Sequence, residues 1–500
     1  MRYEEYVMMI EAVGVVMPRC FRTHVMIRTH ARTREEKKSM NARKATVLLS
    51  LVFFNALGDV RAMPGDAQMH WLTGRVNEAT GLVDAFDDGQ DEAPLYANAL
   101  AAIAFARAGE LDKARGIFDM CRTVYENSPH EGARHPSGLL LDQRSPIEPF
   151  TAHGDFRTGE NAWLVIAINF YETMTVDRSY AAFATNLLEA ICRYRDDDIN
   201  SVSYGAFQWN ASNAVYATEF QVDIYAALRV RAMLGGNTKY RDFAADVRAY
   251  LLAPSTFPLE VGKTRVWLPF ADPVFNGNLY AGDTPIFLDT QAWTVLAFYP
   301  PKPGEVDFST VLQSIDVGGA WQELGETVTC DNQPLTGFAD AFLPGGVDAD
   351  WVWLEGTEFM SLALLTTGDD QRSQFYHQQI AQMLKPDGSL YHSCSSDHSL
   401  PNDRFPENYR FPSAASTCWY YFYETRTNPF QPTRPTIRRA VEISWPSLPS
   451  LSYQVQWSTE LDPQDWQHLG EPVMGTGAEL TVFDRILNRT RRYYRVVPIP

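Results

Sequence analysis

Cysteine is scarce in this chain, basic residues are outnumbered, and no run of about 18 apolar residues exists. Each shortage excludes something. Of 6 cysteines in 500 residues, those beyond the N-terminal region are Cys121, Cys192, Cys330, Cys394 and Cys418. That odd, widely spaced set is no disulfide framework and shows no zinc-ligand spacing, although Cys394 and Cys418 are a possible bridge. Cys121, Cys192 and Cys418 lie in apolar helical patterns and read as buried thiols. With 43 Lys and Arg against 61 Asp and Glu, the formal charge is -18. This argues against a nucleic-acid partner, because binding phosphates needs basic patches.

Several signatures are also missing. Val261-Gly-Lys-Thr264 ends like a phosphate-binding loop, but Phe257 stands where the first glycine is required. Neither His-Glu-x-x-His nor Gly-x-Ser-x-Gly occurs, so zinc-peptidase and serine-hydrolase chemistry lack support. Asp196-Asp-Asp198 reads as a solvated turn rather than a calcium loop. No metal or cofactor is expected.

The first 62 residues contrast with the acidic remainder, holding 11 Lys and Arg against 6 Asp and Glu. Within them Met40–Ala62 reads as a secretory signal. Asn41-Ala-Arg-Lys44 supplies the positive start, Thr46–Leu57 the apolar run, and Val60-Arg-Ala62 a small-x-small cleavage site. Residues 1–39 read as lying upstream of the true start or as a disordered extension, the alternative being a cytosolic N-terminal helix. The mature protein is expected to be exported, to the periplasm or beyond, with no membrane partner after cleavage.

What the chain has in excess is aromatic residues, at 13% with 12 Trp and 23 Tyr. From residue 63 to about 430 the pattern is helical. Long loops enter helices that are apolar nearly all round, such as Thr158–Met174, and short turns leave them for amphipathic ones, such as Leu111–Glu126. About twelve helices in six hairpins fit two concentric rings, a mainly α (α/α)6 toroid, whose inner helices are buried on every side. After a linker at 431–436, Ala440–Trp445, Ser452–Trp457, Glu479–Phe483 and Arg492–Val497 alternate apolar and polar residues. They predict a small antiparallel β-sandwich over 437–500.

Four of the apolar helices open on a carboxylate. Thr158-Gly-Glu160-Asn-Ala-Trp163, Ala217-Thr-Glu219-Phe-Gln-Val-Asp223, Leu288-Asp289-Thr-Gln-Ala-Trp293 and Trp353-Leu-Glu355-Gly-Thr would all point into one end of the toroid. Acidic residues favour a first helical turn anyway, by about 0.3–1 kcal/mol each. That preference explains four together less well, since each is set among aromatics at the mouth of a buried helix. Facing carboxyl groups, one protonated and one ionised, are what glycoside hydrolysis requires.

These openings, with the paired-helix pattern over roughly 65–427, resemble the six-hairpin glycosidase superfamily. The resemblance implies the toroid and a carbohydrate substrate, while hydrolases, phosphorylases, epimerases and related lyases all share it. It fixes no catalytic residue. By position Glu219 and Glu355 are the first candidates for the acid/base pair, then Glu160. Asp223 lies on the same helix face as Glu219, and Asp289 and Asp350 are further carboxylates for sugar binding. Trp163, Trp209, Trp267, Trp293, Trp351, Trp353 and Tyr204 are candidate stacking platforms, and His153 a loop group that could face the cavity. The expected partner is an oligo- or polysaccharide. The alternatives are a polysaccharide lyase and a glycan-binding protein without turnover. The C-terminal segment, with Tyr453-Gln-Val-Gln-Trp457 and Arg492-Tyr-Tyr-Arg-Val496, resembles the fibronectin-III-like tails of exported bacterial proteins.

Overall fold

The structure is a computed structural model. It describes residues 65–128, 134–150, 152–210, 215–254, 256–257, 267, 286–315, 325–339, 341–342, 351–395, 411–433, 440–458, 466–470, 472–485 and 493–499. The expected signal segment Met40–Ala62, residues 1–39 and the candidate Asp350 lie outside them. Contacts divide the chain into two units, one of residues 59–434 and one containing 435–500.

The first unit is mainly helical. Its described helices are α1 (Asp66–Gly74), α2 (Leu95–Ala108), α3 (Leu111–Asn127), α4 (Thr158–Thr175), α5 (Ala181–Cys192), α6 (Thr218–Gly235), α7 (Thr238–Leu251), α8 (Leu288–Phe298), α9 (Ser309–Ser314), α10 (Leu354–Thr367), α11 (Asp370–Ala381) and α12 (Ala414–Glu424). Burial separates them into two kinds. In α3 only the stripe Ala114, Ile117, Phe118, Cys121 and Val124 is buried, the signature of a helix with one wet face. In α4, fifteen of the eighteen residues are buried, so neighbours must surround it. Those neighbours are regular: α2 packs on α4, α4 on α6, α6 on α8, α8 on α10, α10 on α12, and α12 back on α2. Each also packs on a flanking helix: α2 on α3, α4 on α5, α6 on α7, α8 on α9, α10 on α11 and α12 on α1.

One interaction repeats at the start of all six all-round apolar helices. The fourth residue of each turns its side chain back onto the loop backbone that precedes it. Asn98 accepts from the Val83 N–H and donates to the Val83 and Pro94 carbonyls. Asn161 does the same with Leu140 and Arg157, Gln221 with Phe207 and Ala217, and Gln291 with Trp267 and Phe287. Thr357 and Thr417, with one hydroxyl, accept from the Phe338 and Leu390 amides and donate to the Trp353 and Ser413 carbonyls. Buried backbone groups must be paired. The clamp pairs them and fixes each helix start against its loop.

Elsewhere the structure departs from expectation for local reasons. The α1 helix ends at Gly74, where the Asn77 side chain accepts from the Ala79 and Thr80 amides and competes with helical bonding. The same device at Asp177, which accepts from the Ser179 amide, precedes α5, which begins at Ala181. Thr158 does not cap its own helix; its hydroxyl donates to the Gln208 and Trp209 carbonyls. The stretch between α9 and α10 contains strands β4 (Gly325–Cys330) and β5 (Gln333–Phe338), paired antiparallel. Asp331 and Asn332 turn between them at φ 49° and 65°, a two-residue hairpin turn. Strand β7 (Trp351–Trp353) pairs with β8 (Ser393–Ser395). Cys394 of β8 bonds to Cys330 of β4, not to Cys418, which is a free buried thiol in α12. The remaining short strands of this unit are β1 (Gln143–Arg144) with β2 (Ala152–His153) and β3 (Ile286–Phe287) with β6 (Ala341–Phe342).

In the second unit β9 (Ala440–Pro446) pairs antiparallel with β13 (Glu479–Arg485). β10 (Ser452–Ser458) pairs with β11 (Gln467–His468), β12 (Val473–Met474) and β14 (Tyr493–Ile499). Ile443, Trp445, Tyr453, Val455 and Tyr494 form one buried cluster from both sheets.

The clamp can be tested at Asn161. Asn161→Ala leaves the buried Leu140 N–H and carbonyl without partners, so stability to urea should fall by about 2–4 kcal/mol. An undiminished unfolding midpoint would show that the clamp carries no weight.

Candidate active site

Counting from the clamps puts the six helix starts in one register. Two residues before the clamp stand Tyr96, Gly159, Glu219, Asp289, Glu355 and Ala415. Two residues after it stand Leu100, Trp163, Asp223, Trp293, Phe359 and Trp419. These positions are four apart and share a helix face. The first layer brings three carboxylates and a tyrosine to one level. The second is an aromatic plate: Trp163 lies 5.2 Å from Trp293 and 6.3 Å from Trp419, and Phe359 lies 5.6 Å and 5.5 Å from Trp293 and Trp419. Phe430, beyond α12, closes against Trp163, Trp293 and Trp419. The four sequence candidates Glu160, Glu219, Asp289 and Glu355 are thus near neighbours, and with Asp223 they influence one another's ionisation.

Their environments differ. Burial, then the charges of Asp289 and Glu160, hold Glu219 well above the usual carboxylate range. Glu355 is pushed up to about 7 by burial, against the opposing donation of the Tyr96 hydroxyl, whose oxygen lies 2.6 Å from Glu355 Oε1. The Trp419 indole N–H in turn donates to that hydroxyl over 2.8 Å. His392 Nδ1 lies 3.9 Å from the other Glu355 oxygen, and burial lowers His392 to about 4, so it stands there neutral. Glu160, one position later in register, is turned toward its loop. Arg157 donates to it at 3.2 Å and also contacts Asp142 at 3.2 Å. Burial raises Glu160 to about 7, with Arg157 opposing.

Glu358, three residues after Glu355, faces away. His377 contacts both of its oxygens at 3.1 Å and reaches Glu424 at 2.7 Å, so that carboxyl belongs to the packing of α10, α11 and α12. Gly159 fills the α4 place in the first layer because a Cβ there would meet the Phe220 ring at 2.3 Å.

The aromatic candidates divide. Trp163 and Trp293 belong to the plate. Trp353 packs on Phe359 at 5.1 Å and lies 6.3 Å from His392, and Trp209 lies beside Phe220 with Arg157 5.8 Å away. Both are half-buried. Trp351 is half-buried in β7, on the same strand face as Trp353. Trp267 is a correction: it is fully buried, stacked 4.3 Å from Phe257, and its indole donates to Leu251. It is core, not platform. Tyr204 lies over Arg195, which pairs with Asp246 of α7, so the structure does not bring it to the carboxylates. The backbone of His153 lies in β2, and its side chain is outside the described residues.

Three site residues escaped the sequence reading: Tyr96, Trp419 and His392. For the first two a signal exists. Asn161-Ala-Trp163, Gln291-Ala-Trp293 and Thr417-Cys-Trp419 repeat a clamp, a small residue and Trp. Tyr96-Ala-Asn98 repeats the spacing of Glu219-Phe-Gln221. Nothing in the sequence singles out His392.

The Tyr96 bond makes a pH prediction. A donor to the ionised form lowers a carboxyl pKa, so Tyr96→Phe should raise that of Glu355. The acidic limb of any activity that needs the Glu355 carboxylate should move to higher pH in Tyr96→Phe; an unmoved limb would count against the relay.

No protein-family model matches the chain, and no curated protein matches its sequence. Solved structures do resemble it in fold. A wild-type glycosidase superposes with TM-score 0.50 at 13% identity, over 78% of this chain and 100% of its own. A D-mannose isomerase gives 0.52 at 11% identity, over 78% and 100%. The cellobiose 2-epimerase of Bacillus thermoamylovorans B4167 gives 0.51 at 11% identity, over 71% and 95%. At such identities the likeness is one of fold alone, a mainly helical architecture.

Proposed function

We propose that the protein is an exported glycoside hydrolase built on an (α/α)6 toroid, cleaving a neutral oligo- or polysaccharide by carboxylate acid/base catalysis. The cyclic packing order of α2, α4, α6, α8, α10 and α12 supports the toroid. The observation that carries the chemistry is that Glu219 and Glu355 occupy the same register position on α6 and α10, in unlike surroundings. Glu219, among other carboxyl groups, keeps its proton and is the general acid that protonates the leaving oxygen. Glu355 receives the Tyr96 hydrogen bond, which favours its ionised form, and with a pKa of about 7 it is the general base or nucleophile. Tyr96 and Trp419 are positioning residues. Asp289 and Glu160 are placed to bind sugar hydroxyls, with half-buried Trp209 and Trp353 as stacking surfaces. Among the described residues Arg157 is the cation bonded within this group, and it already serves Glu160 and Asp142, which disfavours an acidic sugar. The Cys330–Cys394 bond supports an oxidising, exported location, and the C-terminal sheets fit a fibronectin-III-like module.

A second reading, a sugar isomerase or epimerase, is favoured by the fold of the D-mannose isomerase and the cellobiose epimerase. Moving a proton beside a carbonyl calls for a base poised near neutrality. Glu355, raised to about 7, meets that requirement as well as the hydrolytic one, whereas among the described residues the histidine beside it, His392, is held near 4 by burial and is a weak base.

Purified protein, incubated with a panel of neutral and uronic-acid oligosaccharides, separates the readings. New reducing ends indicate a hydrolase, an isomerised sugar of unchanged length an epimerase, ultraviolet absorbance of unsaturated uronate a lyase, and binding without turnover a glycan-binding protein. For the hydrolase, Glu219→Gln should lower kcat by about 10²–10⁴ on natural substrates. It should lose much less on 2,4-dinitrophenyl glycosides, whose leaving group needs no proton. Glu355→Gln should be impaired on both. Full hydrolysis by both variants would overturn the site assignment.

A further inference from the structure

Asp223 is the unexpected member of the second layer. Where the other five helices place Leu100, Trp163, Trp293, Phe359 and Trp419, α6 places a carboxyl group that is 1% exposed. Neither of its oxygens has a hydrogen bond of regular geometry. The Trp163 indole N–H is the donor that eases it, and only in part. An ionised carboxylate in that position is costly, and among the described residues the charges that act on it most are those of Glu219, Glu160 and Asp289, with Tyr96 also close by. Burial, then the charges of Glu219, Glu160 and Asp289, hold Asp223 neutral. A buried, poorly satisfied polar group lowers stability and needs a reason to be there. Its place supplies one. It lies four residues after Glu219, on the same face and one helical turn deeper.

We infer that Asp223 is a positioning residue for Glu219: a neutral carboxyl group set beneath it to donate a hydrogen bond to the carboxylate that forms there. This rests on the reading of Glu219 as general acid. In the step itself the proton leaves a Glu219 oxygen for the glycosidic oxygen, the bond from that oxygen to the sugar carbon breaks with its electron pair going to the leaving group, Glu355 or the water it activates bonds to that carbon, and negative charge appears on Glu219. Asp223 keeps its own proton throughout and turns its O–H toward the new charge. A donor already placed in a dry site needs only that local turn, not a rearrangement of solvent, when the charge develops. An ionised Asp223 would do the reverse and oppose the charge on Glu219.

The test compares Asp223→Ala and Asp223→Asn with Glu219→Gln on whichever neutral disaccharide the wild type hydrolyses, reading kcat against pH and Tm for each. Asp223→Ala removes the donor. Its kcat should fall by about 100-fold, the scale of one lost donor to a forming anion. Without the donor the Glu219 carboxylate is less favoured and its pKa rises, so the alkaline limb of kcat should move to higher pH. Its Tm should stay level or rise, since an orphaned polar group has gone. Asp223→Asn, whose amide can still donate, should keep kcat within about tenfold of the wild type. A wild-type kcat and pH profile in Asp223→Ala overturns the inference. So does an Asp223→Asn enzyme as slow as Asp223→Ala, or an Asp223→Ala chain that does not fold. If Glu219→Gln itself stays fully active, the general-acid reading has failed rather than the role of Asp223 alone.

Discussion

A side chain that reaches backward holds this molecule in register. At each of six helix starts the preceding segment crosses the helix end with a buried amide, and at four of them with the carbonyl of the same residue, and the fourth residue of the helix gives these groups their partner. Asn98, Asn161, Gln221 and Gln291 offer both a donor and an acceptor, so they pair the loop as a neighbouring strand would. Thr357 and Thr417 manage with one hydroxyl, which accepts from the loop and returns its proton to the helix. The consequence reaches well beyond the loops. Once the fourth residue is pinned, the second and sixth are aimed, and six sequences with little in common deliver their side chains to the same two levels.

The chemistry follows from what occupies those levels. An aromatic plate of Trp163, Trp293, Phe359 and Trp419 excludes water, and a carboxyl group set against it is expensive to ionise. That cost separates groups that are chemically alike. Glu219 has carboxyl neighbours and keeps its proton; Glu355 has a tyrosine hydroxyl 2.6 Å away and is eased toward the ionised form. Glu160 sits one residue out of register and is drawn to Arg157. Glu358, also buried, is drawn to His377 and leaves the site altogether. Partner and register, more than residue type, decide which carboxyl groups come together.

The insertion between α9 and α10 ties the same site to a second part of the fold. The β4–β5 hairpin supplies Phe338, whose amide is the one clamped by Thr357. The Cys330–Cys394 bond joins that hairpin to β8. His392, beside Glu355, lies two residues before Cys394. One end of this hairpin therefore orders the start of α10, and the other anchors the strand that follows His392.

Much of this was legible in the sequence, because helix identity is local. Periodicity separated the all-round apolar helices from the amphipathic ones, and the carboxylate openings of α4, α6, α8 and α10 were visible as a set. The strands at 325–338 were missed because they look like loop until the Asp331-Asn332 turn is recognised. The signal segment and Asp350 remain matters of sequence alone. Only the tertiary structure decided which polar residues share a level. It moved Trp267 into the core, gave Cys394 the partner Cys330, and brought Tyr96, Trp419 and His392 to Glu355. Tyr96 and Glu355 are 259 positions apart. Their meeting depends on α2, α10 and α12 packing together, which a local pattern does not record. The sequence determined where each helix begins and what it carries there; closing α12 back onto α2 decided which of those beginnings could act together.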